Sequence, residues 1–193
     1  MPTEDYAIVL DYLPEGHPDI NVPQYKREKR VAEILGEELY SLLEVAIREE
    51  QAVSQDEKIY IGKATREKVH HIIRRLNYGD LTSTAKVELE YTLEKLVKAQ
   101  EHKFVRFFNE CGPLTTRLHR LELLPGIGKK HMWDLTKARE EKKFESFKEI
   151  SERIKLLPDI EKMVIKRIIL ELKGQDEKGE PIKYRIFVGV PLP

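Results

Sequence analysis

Cysteine is almost missing from this 193-residue chain, where Cys111 stands alone. One thiol excludes an internal disulfide framework and any metal site built from cysteines. A reducing, cytoplasmic setting is the natural expectation. No stretch approaches the ~18 apolar residues that a membrane span requires. The start, Met1-Pro2-Thr3-Glu4-Asp5, is acidic and lacks the apolar segment of a secretory signal. No membrane association is therefore expected. The histidines (His17, His70, His71, His102, His119 and His131) are scattered and lack the helical spacing of a metalloprotease. Adjacent His70 and His71 on a strand are expected to face opposite ways. No metal and no other cofactor is expected. A glycine-rich nucleotide loop and a nucleophile elbow are also missing.

Net charge is missing too, since 34 basic residues balance 34 acidic ones. The balance hides a division. Residues 1–80 carry a net −5, whereas residues 112–173 carry a net +5. A positive field confined to the later segment suits an anionic partner. With 40% hydrophobic residues, the chain has the means to build a core and is not a disordered polymer.

The first 80 residues read as β. Candidate strands are Tyr6–Leu10, Val31–Leu35, Leu39–Ile47, Lys58–Gly62 and Val69–Leu76, with Gly36 suited to a bend or bulge. Pro18 and Pro23 mark a loop, and Asn77-Tyr78-Gly79-Asp80 marks a turn. Five short strands in this length suggest a small OB-like β-barrel over 1–81. A long connecting helix follows within 82–112. Ser83 or Thr84 caps it, its apolar stripe runs from Ala85 to Phe108, and Gly112 supplies the C′ residue. At 1.5 Å per residue it spans about 42 Å. Helices are then expected at 114–123, 130–141, 147–156 and 159–172. A polar turn over 174–181 leads to a last strand, 182–190, expected to return to the barrel. The fold class is thus α+β in two parts.

One motif is sharp. Leu123-Leu124-Pro125-Gly126-Ile127-Gly128-Lys129-Lys130 lies between two helical patterns and resembles the helix-hairpin-helix element. Its glycines allow a tight turn, tolerate positive φ and bring backbone N–H groups near a ligand. The next helix starts at the hairpin, so its free N–H groups and positive dipole end face the same ligand. Phosphate is the chemistry that fits. Lys129 and Lys130 add charge, Ile127 plugs the hairpin into the core, and Leu124 and Pro125 shape it. The nucleic-acid-binding candidates are therefore Leu124, Pro125, Gly126, Ile127, Gly128, Lys129 and Lys130. Such contacts read backbone rather than base sequence.

Residues 156–163 echo residues 123–130 at a spacing of 33, with five of eight identical. The echo replaces both glycines with Asp159 and Glu161. Carboxylates there repel a phosphate but suit a helix N-terminus. The first hairpin is expected to bind and the degenerate second copy to pack.

This combination resembles an uncharacterised archaeal domain-of-unknown-function family whose members are predicted RNA-binding proteins. The resemblance implies an OB-like barrel beside a helix-hairpin-helix domain and favours RNA over DNA. It implies no catalytic residue.

Other readings stay open. The barrel offers Tyr6, Tyr12, Tyr25, Tyr40, Tyr60 and Tyr78 for stacking, with a basic loop Lys26-Arg27-Glu28-Lys29-Arg30. Its net negative charge and the core's own need for tyrosine weigh against it. Arg74 and Arg75 with His70 and His71 form a second basic cluster. A DNA glycosylase needs an aspartate after its hairpin, and no aspartate occurs in 135–158, although Lys130 matches the position of a catalytic lysine. The expectation is a non-enzymatic protein. The alternative is a protein-interaction or assembly module, or an accessory in DNA repair. Trp133 is expected to anchor packing in the core.

Overall fold

The computed structural model describes residues 4–17 and 29–190. The loop prolines Pro18 and Pro23, Tyr25 and Lys26–Glu28 lie outside the described residues. The chain divides into two compact units, Met1–Thr92 and Leu93–Pro193.

The first unit is built on β1 (Tyr6–Leu13), β2 (Val31–Gly36), β3 (Leu42–Ile47), β4 (Lys58–Tyr60) and β5 (Val69–Arg75). All pairings are antiparallel, in the order β4-β1-β2-β3-β5. The sheet curls into a half-barrel. Among the described residues no ladder joins β4 to β5, so these remain edges. Alternation sets the faces. Ala7, Val9, Ala32, Ile34, Val45, Ile47, Ile59 and Val69 build one core with Val53 and Ile61. Ile8, Leu10, Val31, Leu35, Leu42 and Ala46 belong to the opposite face and are buried as well. Burial on both faces explains the nearly continuous apolar run of β2. Gly36 ends that strand where the Glu4 carboxylate closes on the backbone, accepting from the N–H groups of Glu38 (2.9 Å), Leu39 (3.0 Å) and Ser41 (3.2 Å).

The candidate strand 69–76 is a strand over Val69–Arg75, and it is bulged. Ala46 pairs with His71 and Ile47 with Val69, so His70 is the extra residue. This corrects the expectation of opposite faces. The bulge turns the two imidazoles together, Nδ1 to Nδ1 at 2.7 Å.

A charged row crosses the second face: Asp11 opposite Glu33, Glu33 opposite Glu44, Glu44 opposite Arg74. Glu33 is fully buried. Burial raises its pKa, against the pull of the Thr82 hydrogen bonds and His17. Thr82 caps the following helix, in place of the expected Ser83 or Thr84. Its hydroxyl accepts the Ala85 N–H (3.1 Å) and lies 2.7 Å from an Asp11 oxygen and 3.0 Å from a Glu33 oxygen. A threonine that satisfies both sheet and helix outcompetes one that serves the helix alone.

The boundary between the units falls inside α1 (Ser83–Ala99). The single long helix expected for this region is broken. Gln100, at φ −108 and ψ 20, interrupts the chain before α2 (Glu101–Glu110). After α2 the chain turns at Cys111, which adopts extended backbone, so Gly112 is not a left-handed cap.

Residues 114–123 are not helical as expected. They form a small ladder, β6 (Pro113–Thr115) with β7 (Leu118–His119), and a 3-10 turn, Arg120–Leu123. Thr115 and Thr116 are β-branched and favour extended backbone over a helix interior. The helices α3 (Lys129–Glu141), α4 (Phe147–Arg153) and α5 (Ile160–Lys173) follow close to their expected places.

The expected terminal strand is absent. Among the described residues, 182–190 join no sheet. The apolar alternation of Ile182, Tyr184, Ile186 and Val188 reads as a strand, but its donors go elsewhere. The N–H groups of Ile186 (2.9 Å), Phe187 (3.1 Å) and Val188 (2.8 Å) all donate to the buried Glu171 carboxylate on α5. Arg167, one turn earlier, pairs with that carboxylate at 2.7 Å. Phe187 then fills the helical core against Phe104 (5.4 Å between ring centres) and Phe107 (5.2 Å).

Candidate nucleic-acid interface

The seven hairpin residues form one local structure. Ile127 N–H donates to Leu124 O at 3.1 Å, closing a four-residue turn with Pro125 second and Gly126 third. Gly126 has φ +85. Proline followed by a positive-φ glycine is the pattern of a type II turn. Leu124 and Ile127 are buried on either side, so the turn is anchored at both ends. Arg167 fixes the entry, donating to Leu123 O at 3.0 Å. The His131 ring donates from Nδ1 to Gly126 O at 3.3 Å.

The two glycines differ. Gly128 is the N-cap of α3, with φ −93 and ψ 179, an extended conformation open to any residue. A Cβ built on it meets nothing within 4 Å. The expectation that both glycines serve positive φ therefore holds for Gly126 only. Gly128 leaves open space at the helix start.

That start is uncapped by any side chain, and the first helical bond is Met132 N–H to Gly128 O at 3.0 Å. The earlier donors of α3 have no carbonyl within the helix to meet. Lys129 and Lys130 are exposed beside them. The echo contrasts. Asp159 caps α5, its carboxylate accepting the Lys162 N–H at 2.9 Å, and Glu161 lies 3.4 Å from Lys98. One helix start is closed by its own carboxylate and the other is open.

Trp133 is not in the core. It is 66% exposed. The buried residues of α3 are Met132 and Leu135, and Trp133 lies about 100° or more around the helix from each. The signal was present in the sequence: Lys129 and Lys137 stand four residues to either side, marking a polar face.

The turn before the hairpin carries a titratable cap. His119 Nδ1 accepts the Leu121 N–H at 3.1 Å, and Glu122 accepts the His119 N–H at 2.9 Å. Burial holds the imidazole below its ordinary pKa, Arg139 and Arg120 add to this, and Glu122 opposes it. Cys111 is buried, and burial pushes its thiol pKa up despite Arg139 nearby.

The sheet unit offers less. Tyr40 is fully buried, and Tyr6 packs edge-on to Tyr60 at 5.3 Å under Lys58, which pairs with Glu37. Arg74 is spent on Glu44 at 2.6 Å, and Arg75 donates to Ser41 Oγ at 3.2 Å. A cleft of about 210 Å³ lies over Leu43, Ile61 and Ile72 with Lys63, Arg66 and Arg75 at its rim. No group of three or more His, Cys, Asp or Glu able to hold a metal ion occurs among the described residues. No helix among them is long and apolar enough to cross a membrane.

A curled antiparallel half-barrel together with a helical unit defines a mixed α+β protein of two compact units. Residues 3–189 match the family described as "Protein of unknown function (DUF655)", and the chain belongs to that family. It is 48% identical over 185 residues to the uncharacterized protein MJ0038 of Methanocaldococcus jannaschii, covering 96% of this chain and 80% of that one. It is also similar to the crystal structure of Af1531 from Archaeoglobus fulgidus. There the identity is 46% and the TM-score 0.80, over 95% of this chain and 99% of that one.

Proposed function

We propose that this protein is a non-enzymatic, cytoplasmic nucleic-acid-binding protein that grips phosphate backbone through residues 124–130, without sequence specificity. The observation that carries the reading is the open N-terminus of α3. Its start is uncapped, it follows a turn with Gly126 at φ +85, and its first two residues are exposed lysines. Donors, dipole and charge converge there on an anion. In this reading 120–141 is a helix-hairpin-helix element whose first helix is shortened to the 3-10 turn Arg120–Leu123. The curled sheet is an OB-like barrel left open between β4 and β5. The net +5 of residues 112–173, which include the hairpin, suits an anionic ligand. RNA is favoured over DNA through the family resemblance alone.

Fluorescence anisotropy with labelled single-stranded RNA, duplex RNA and duplex DNA of equal length tests the reading. Binding at low salt that is lost in the Lys129→Ala/Lys130→Ala protein supports it. Absence of binding to all three shifts the function to a protein contact. The same affinity in the double variant moves the site away from the hairpin.

A further inference from the structure

We infer that Trp133 is a stacking platform for unpaired bases, which makes the ligand a single strand. The inference rests on the nucleic-acid reading and adds what that reading leaves open.

Lys129, Trp133 and Lys137 form one line along α3, four residues apart, and all three are exposed. Successive members rise about 6 Å along the helix. Lys130 flanks the same face at three residues from the indole. None of these lysines is in an ion pair among the described residues. Thr136, the remaining close neighbour, turns its hydroxyl back to Met132 O at 2.8 Å. The indole is thus a flat apolar surface flanked by three lysines, with the exposed Asp134 next to it in the chain.

A protein interface would place a tryptophan among other apolar residues and exclude charge from its centre. Here the surroundings are the opposite. A nucleic-acid strand matches both parts, because each nucleotide joins an apolar π-face to an anion. Stacking tolerates any base, in keeping with contacts that read backbone. In a duplex the base faces are covered by their neighbours, so the indole finds a partner only where bases are unpaired. The acidic pair Glu140 and Glu141 marks the far end of the face.

Trp133 is the only tryptophan in the chain, so intrinsic fluorescence reports on this position alone. The full-length protein is titrated with 12-mers of oligouridylate and oligoadenylate, and with an RNA duplex of equal length. Labelled-RNA anisotropy is run in parallel on the wild type, Trp133→Ala and Trp133→Phe. The expected result is quenching by single strands and little change with duplex. Trp133→Ala should bind single strands about five- to 150-fold more weakly. Trp133→Phe should recover part of the loss. Salt dependence should stay that of the wild type, since no charge is removed, whereas Lys129→Ala/Lys130→Ala reduces it. Salt-sensitive binding with unchanged tryptophan emission and wild-type affinity in Trp133→Ala overturns stacking while leaving the phosphate grip intact. Equal quenching by duplex overturns the single-strand preference. No binding to any oligonucleotide overturns both readings and leaves the indole as a protein contact.

Discussion

Pro158 closes on Gly126: a Cβ added to the glycine would lie 2.8 Å from the proline Cγ. The turn before α5 is thereby packed on the turn before α3, and the echo residue of one copy supports the hairpin of the other. Gly126→Ala should suffer twice, from a positive φ and from this collision. A loss of about 1–3 kcal/mol in chemical denaturation is expected. Combining it with Pro158→Ala should recover the collision and leave the backbone strain. A cost below about 0.3 kcal/mol would show that the turn relaxes freely.

Gly128 provides the opposite kind of variant. Its backbone is extended and its Cβ direction is open. Gly128→Asp would give α3 the carboxylate cap that Asp159 gives α5. Stability should rise by a few tenths to about 1 kcal/mol. Nucleic-acid binding should be lost, because the cap occupies the donors and repels phosphate. A variant that is stabilised yet binds as the wild type would place the anion site elsewhere.

The contrast shows what was legible in sequence. Strand positions followed from β-branched runs and alternation, and Leu124, Ile127 and the start of α3 were read close to their places. What failed did so for identifiable reasons. Residues 182–190 alternate like a strand, but Glu171, eleven residues before the start of that segment, takes their donors. Residues 114–123 have helical apolar spacing, yet the β-branched Thr115 and Thr116 favour a ladder. Residue type alone points Trp133 to the core, whereas its lysine neighbours at four-residue spacing mark the exposed face that it occupies. The Gly128 conformation was invisible, since a glycine states permission and not need.

Glu171 is the keystone of the helical unit's C-terminal segment. It holds three N–H donors and the buried Arg167 guanidinium. Glu171→Gln removes the charge and one acceptor oxygen while leaving Arg167 buried. A loss of about 3–5 kcal/mol is expected. Hydrogen exchange should show the Ile186, Phe187 and Val188 amides losing protection before the amides of α2. Unchanged protection there would contradict the role given to the carboxylate.

His119 makes stability pH-dependent. Its folded pKa lies below the ordinary imidazole value, with burial the leading cause. The unfolded chain therefore binds the extra proton first as pH falls below about 6.5. Stability contributed by the neutral ring is present above that pH and is lost below it. His119→Asn keeps a capping oxygen that does not titrate. Urea unfolding at pH 7.5, 6.5 and 5.5 should show a steeper acid loss in the wild type than in the variant. Parallel losses would contradict the assignment.

The most direct measurement is the slope of log affinity against log salt for single-stranded RNA, taken on the wild type and on Lys129→Ala/Lys130→Ala. If both lysines meet phosphates at the open start of α3, the slope should shrink by about 2 units in the variant. An unchanged slope in a folded variant would contradict the claim that this hairpin grips the backbone.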